Sequence, residues 1–209
     1  RRDADLALHA RLVIAENGGI RIHQTEGILR ASHSLSERRA LWQRKPSLRA
    51  VYSDYYRRIV ENCTPGRTLE IGGGTGNLKD SWREVISTDI VFNAWLDVTA
   101  DAQMLPFAGA TFSNIVGVDV LHHMERPPLF FAEAERVLRP GGRIILIEPA
   151  ITPLSWAFYR FGHSETVDMH ADPYAEGPKN PNRHPLDGNQ AIPTVLFGRR
   201  RAQLAQHFP

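Results

Sequence analysis

Apolar positions along the chain fall into two regimes that meet near Pro65-Gly66. Between Ser36 and Asn62 the residues Leu41, Trp42, Leu48, Val51, Tyr52, Tyr55, Ile59 and Val60 recur at helical spacing, which predicts an amphipathic helical segment interrupted at Pro46. Upstream, over residues 11–30, the runs Leu12-Val13-Ile14 and Ile20-Arg21-Ile22 flank Asn17-Gly18-Gly19. Asn-Gly and Gly-Gly supply the positive φ of tight turns, so this stretch reads as a small β-hairpin. After Pro65-Gly66 short apolar runs alternate with helical patterns. Strands are expected at Thr68–Ile71, Val85–Asp89, Phe112–Val118 and Arg143–Glu148, with helical segments at Asn77–Trp82 and Pro128–Leu138. Such alternation predicts a parallel sheet covered by helices. Pro140-Gly141-Gly142 separates the last helix from its strand, and a Pro-rich stretch follows until Thr194–Phe208, which again reads as helix.

Composition narrows the class. In 209 residues 42% are hydrophobic and 23% charged, which supports a globular core and excludes fibrous or wholly disordered chains. The single cysteine, Cys63, allows no internal disulfide and no cysteine-built zinc site, and suits a reducing cytoplasm. The longest aliphatic runs are a few residues, so no transmembrane helix is expected. The net charge of +2 conceals a gradient: residues 1–65 hold 12 Lys/Arg against 7 Asp/Glu. A basic third of this kind suits either phosphates or a solvated helix face, and the latter is the commoner case. The chain begins at Arg1 and shows no secretory segment, and it reads as a fragment of a longer protein.

The densest chemical signal is Leu69-Glu70-Ile71-Gly72-Gly73-Gly74-Thr75-Gly76-Asn77, at an expected strand-to-helix turn. Glycines there allow a sharp turn and close approach of backbone to a ligand, and the free N–H groups of such a turn suit a phosphate or a carboxylate. A dinucleotide fingerprint counted from Gly72 meets Asn77 where its third small residue belongs, which disfavours a nicotinamide oxidoreductase. The spacing acidic-x-G-x-G-x-G is met by Glu70, Gly72, Gly74 and Gly76. With it the sequence resembles the class I S-adenosylmethionine-dependent methyltransferases, and within them the small-molecule group called methyltransferase type 11.

The resemblance runs from Thr68 to Pro149. It implies a doubly wound, Rossmann-like parallel sheet with helices on both faces and the cofactor, S-adenosylmethionine, over the carboxyl ends of the strands, leaving S-adenosylhomocysteine as product. It places Glu70, Gly72, Gly73, Gly74, Gly76 and Asn77 in the cofactor turn. Asp89 matches the acidic residue that holds the ribose hydroxyls, with Ile90 beside the adenine. Asp101-Ala102 before Leu105-Pro106-Phe107 matches the element that reads the adenine edge. Asp119 and Leu121 stand with His122 and His123 at the end of the fourth strand, facing the methionine part.

Methyl transfer from a sulfonium needs mainly positioning, since the leaving thioether is neutral. A base is needed only where the acceptor must lose a proton, and His122 and His123 are the candidates. The resemblance also places the acceptor pocket between the segment before the first strand, with Tyr52, Tyr55 and Tyr56, and the region after Glu148, where Trp156, Phe158, Tyr159 and Phe161 suit a lid or plain core. His163, Glu165, Asp168 and His170 have a spacing that a metal could gather, but solvated or substrate-facing roles suit a Pro-rich loop better, so no metal site is assigned. No sixth and seventh strands are legible after Glu148. The sequence therefore reads as an extension over residues 1–64, in which the hairpin stands where relatives carry a zinc ribbon, and a cofactor-binding domain over 65–209 truncated before its last two strands. The expected activity is methyl transfer to a small-molecule acceptor, with lipid-linked or saccharide intermediates suggested by analogy. A non-catalytic cofactor-binding module and an RNA-directed methyltransferase are the alternatives. The second lacks an Asn/Asp-Pro-Pro-Tyr/Phe tetrad, and oligomeric state is not legible.

Overall fold

A computed structural model describes residues 22–162, 165–177, 180 and 183–208 of the chain. Helix α1 spans Ile22–Arg44 and α2 spans Pro46–Asn62. Pro46 sits at the start of α2, where its missing N–H costs nothing and its ring forbids continuation of α1. The expected hairpin lies outside the described residues up to position 21, and from Ile22 its remainder is helix instead. With Gln24, Glu26 and Leu29 beyond the turn, helical propensity outweighs a three-residue apolar run.

Five strands follow: β1 Thr68–Glu70, β2 Ile86–Asp89, β3 Val98–Thr99, β4 Phe112–Val118 and β5 Leu138–Ile147. They form one sheet in the order β3-β2-β1-β4-β5, with every pairing parallel. The interior strand β4 is buried through its first six residues, as expected for a strand covered on both faces. Helix α3, Asn77–Ser81, follows β1, and α4, Pro127–Val137, precedes β5. On one face Tyr56 and Ile59 of α2 pack with Leu78, Val85 and Val116. On the other, Phe130, Phe131, Ala134 and Val137 of α4 pack with Leu69, Ile115, Ile192 and Leu196. The doubly wound arrangement anticipated from the sequence is thus present.

Three expectations change. Strand β3 has two residues, Val98 and Thr99, too few to show a periodicity. Strand β5 starts at Leu138, not Arg143, because Leu138 already pairs with Phe112 and the register then jumps to Asn114 with Arg143. Pro140-Gly141-Gly142 forms the bulge between them, with Gly141 at φ +76°. The C-terminal helix is broken into α6 Ile192–Thr194, a π turn over Val195–Arg199 around Gly198, and α7 Arg201–His207.

Among the described residues the sheet ends at β5, and the one further bridge joins Thr166 to Asn189. Helix α5, Pro153–Gly162, is not core: Leu154 is 85% and Phe161 80% exposed. No helix among the described residues is long and apolar enough to cross a membrane.

Candidate functional site

The chain reverses its direction of travel across the sheet between β1 and β4, and open α/β sheets bind ligands at that point beyond the strand ends. A cavity of about 550 Å³ lies there. Its floor contains Glu70, Gly72, Gly73, Gly74 and Asn77, its flank Asp89, Ile90, Asp101 and Ala102, and its far wall Asp119 and His123. Residues as distant in the chain as Glu70 and His123 thus share one cavity because the strands are parallel and end together.

The glycine turn after β1 is held by its neighbours. Gly72 and Gly74 have φ of +62° and +44°, a region that side chains with a Cβ rarely adopt. A Cβ on Gly72 would collide with Val120, whereas one on Gly74 would meet nothing closer than 3.7 Å. The turn is therefore tight at Gly72 against Val120, two residues past β4, and more open at Gly74. The Gly74 N–H donates to Asp89 Oδ2 at 2.8 Å, the Val91 N–H donates to Oδ1 at 2.8 Å, and Trp95 Nε1 donates to the Gly74 carbonyl at 2.9 Å. Arg39 of α1 donates to the Thr75 carbonyl, pairs with Asp80 at 2.8 Å and lies over the Trp95 ring. One of the basic residues of the N-terminal third is thereby assigned to bracing the turn.

Glu70 is buried and accepts a hydrogen bond from Ser87 Oγ. Burial pushes its carboxyl up to about 7 from 4.5, since the charged form loses its hydration. A raised carboxyl makes the native state hold a proton that the unfolded chain has already released. Stability should then fall as pH rises from about 4.5 to about 7 and be level above. Glu70→Gln should flatten that fall, read as the urea midpoint across the same pH range. Asp89 is raised by burial, with the Val91 and Gly74 amides opposing. Asn77 Oδ1 is buried without a hydrogen-bond partner and its residue lines the cavity, so it is an acceptor available to a ligand's N–H.

The element around Asp101 is anchored from α4. The Gln103 N–H donates to Asp101 Oδ1 at 2.8 Å, the Leu105 N–H donates to Glu133 Oε2 at 2.7 Å, and Arg136 donates to the carbonyls of Leu105 and Phe107. Beyond β4, Asp119 adopts φ +53°, accepts from the Tyr52 hydroxyl at 3.2 Å, and is raised by burial and then by Glu148. Glu148 Oε1 accepts the N–H groups of Val120 and Leu121 at 2.8 and 2.7 Å, and its Oε2 lies 2.9 Å from His122 Nδ1. His122 is 2% exposed. His123, stacked against it at 4.2 Å between ring centroids, faces the cavity and is shifted downward by burial and by its neighbour.

Of the residues expected from the sequence, Gly76, Leu121 and His122 do not line the cavity. Gly76 turns against Trp95, and Leu121 is core. Tyr52 and Tyr56 line it with Leu35, Arg38 and Trp42, while Tyr55 does not. Arg183, His184, Pro185 and Leu186 close the remaining side, a contribution that no periodicity announced. Of the residues spaced for a metal, His163 lies outside the described residues, the Asp168 and His170 side chains stay apart from the cluster, and Glu165 reaches His122 and His123.

Residues 69–146 match the family model described as a methyltransferase domain. That segment carries the likeness to a methyltransferase domain. The cofactor of the class is S-adenosylmethionine. Among relatives, the ubiquinone/menaquinone biosynthesis C-methyltransferase of Paracoccus denitrificans is 41% identical over 71 residues, covering 32% of this chain and 28% of the relative. A malonyl-[acyl-carrier protein] O-methyltransferase of Erwinia pyrifoliae is 28% identical over 134 residues, covering 54% and 51%. The chain thus spans about half the length, or less, of these relatives. A solved 1,6-didemethyltoxoflavin-N1-methyltransferase of Burkholderia thailandensis, with S-adenosylhomocysteine bound, aligns with TM-score 0.47 at 19% identity over 63% of this chain and 65% of its own. The methyltransferase domain places its match over β1 to β5, the part of the chain that builds the cavity floor and flank.

Proposed function

We propose that the cavity binds S-adenosylmethionine and that the chain transfers its methyl group to a small-molecule acceptor. The observation that carries this reading is the joining of an acidic-x-G-x-G-x-G turn to Asp89 at a single cavity beyond β1 and β2. When bound, the cofactor supplies an electrophilic methyl on a sulfonium.

The chain's own residues would do the rest. Asp89 keeps lone pairs on both oxygens beyond those taken by Gly74 and Val91, and these suit two vicinal hydroxyls. Ile90 and Ala102 offer apolar surface for a purine ring, with Asp101 at its edge. Asn77 Oδ1 and the Glu70 carboxyl suit an ammonium group. Gly76 and Leu121 serve by shaping the turn and seating the 3₁₀ turn over Leu121–His123, while Gly72 and Gly73 set the close approach. Trp42, Leu48, Tyr52 and Leu186 form an apolar wall on the side of α1 and α2, which favours an acceptor with aromatic or alkyl surface. His123, on the cavity wall and held below its ordinary pKa, is neutral near pH 7 and suited to take an acceptor proton, with His122 packed behind it.

The names of the relatives, a quinone-pathway C-methyltransferase and an acyl-carrier-protein O-methyltransferase, fit small acceptors of either atom type. An RNA acceptor is the weaker reading, since Arg57 and Arg58 already pair with Asp54 and Glu61. The division into an extension over 1–64 and a cofactor-binding unit over 65–209 belongs to the same reading, as does a reducing compartment for a chain with one cysteine.

Calorimetric titration of the chain with S-adenosylhomocysteine, against NAD as control, tests the proposal. One saturable site for the former and none for NAD is the expected outcome. A folded chain that binds NAD instead, or neither ligand, overturns it.

A further inference from the structure

Behind the acceptor side of the cavity, three potential metal ligands converge. His122, His123 and Glu165 each offer one donor atom, and the three lie within 4.8 Å of one another. His122 Nε2 is 3.3 Å from Glu165 Oε2. Bond lengths of about 2.0–2.2 Å to nitrogen and oxygen in a four-coordinate site imply ligand separations of about 3.3 Å, so this pair already has the span of a shared ion. His123, less buried than His122, supplies the third donor within 4.8 Å of the other two.

A second observation points to the same spot. Gly188 faces the three side chains, and a Cβ there would stand 2.9 Å from His123 Nδ1, 3.0 Å from Glu165 Oε2 and 3.1 Å from His122 Cδ2. The glycine thus leaves a small space bordered by His123 Nδ1, Glu165 Oε2 and the edge of the His122 ring. The support around it is also of the kind that metal-binding histidines have. His122 Nδ1 is engaged by Glu148 Oε2 at 2.9 Å, and Glu148 is itself fixed by two backbone N–H groups, which leaves Nε2 turned to the cluster. Gln190 Nε2 now lies between Glu165 and His122, 3.2 Å from His122 Nε2.

We propose that His122, His123 and Glu165 form a binding site for a divalent transition-metal ion of the zinc type, cradled by Gly188 directly behind His123, which lines the cavity. Two imidazoles and one carboxylate suit zinc and its neighbours rather than magnesium or calcium, which require oxygen ligands. Two neutral rings and the carboxylates Glu165 and Glu148 balance the ion's charge. Its chemical role, which rests on the methyl-transfer reading, is to bind an acceptor hydroxyl: the O–H bond breaks, the proton leaves to water and the electron pair stays on oxygen, ready as nucleophile. In that state His123 is a ligand and the ion, not the ring, activates the acceptor.

The test uses the tag-free chain, stripped with chelator and titrated with Co²⁺ while visible absorption is followed. On the same sample, S-adenosylhomocysteine binding is measured by calorimetry. The expected result is one Co²⁺ per chain with the intense d–d bands of a low-coordinate site, displaced by Zn²⁺. Affinity should fall at least tenfold in His123→Ala, in Glu165→Gln and in Gly188→Ala, whose added methyl fills the cradle. Circular dichroism identical to the wild-type chain certifies each variant. No bands in a folded chain, or bands of equal strength in all three variants, overturn the site. Bands in a chain that does not bind S-adenosylhomocysteine keep the site and overturn its role in methyl transfer.

Discussion

Asp89→Ala should weaken S-adenosylhomocysteine binding at least ~100-fold, to the limit of calorimetric detection. Hydrogen bonds to a charged group contribute roughly 1.5–3 kcal/mol each, and the proposed ribose contact would make two. The substitution also releases the amides of Gly74 and Val91, each held at 2.8 Å, so the glycine turn and the chain after β2 lose their common anchor. Asp89→Asn separates the two effects. It keeps one acceptor oxygen and the shape of the side chain but not the charge, and a loss of about 10-fold to 100-fold is expected. Equal binding by wild type and Asp89→Ala would remove the carboxylate from the site and with it the ribose assignment.

A second large effect is expected on stability. Phe112 opens β4, is fully buried, meets the Phe107 ring edge to face at 5.0 Å and pairs with Leu138. It lies where the loop anchored by Glu133 and Arg136 meets the sheet. Phe112→Ala should cost about 3–5 kcal/mol, since a buried aromatic leaves a cavity that its neighbours fill only in part. Against a total of about 5–15 kcal/mol for an ordinary domain, that brings the fold near its limit. The check is urea unfolding with the slope unchanged. Leu154→Ala, at a position 85% exposed, is the control and should change stability by less than about 0.5 kcal/mol.

The strand and helix pattern after Gly66 was legible because its period is local. Strands β1, β2 and β4 follow from short β-branched and apolar runs, and the turn at Gly72–Gly76 from glycine's freedom at positive φ. Where local signals were short, competing terms won. Residues 22–30 are helical because three apolar residues and a turn signal weigh less than a long run of helix formers. Strand β3 and the early start of β5 are set by pairing with β2 and β4, which no window along the chain contains. The exposed α5, apolar at Leu154, Phe158 and Phe161, shows that composition alone does not decide burial.

The candidate site divides in the same way. The sequence by itself placed Glu70, the glycines and Asp89 at strand ends, because the alternation of strand and helix is local, and it is the family resemblance that implies a cofactor role for them. It did not determine which of two adjacent histidines faces the cavity, nor that Glu148, Glu165, Gly188 and Gln190 gather behind them. Those contacts join residues 26 to 68 positions apart. Only the packing of β4 beside β5, and of the segment after residue 164 against both, brings those side chains within bonding range, since through-space contact between distant positions is a property of the tertiary arrangement and leaves no period in the sequence.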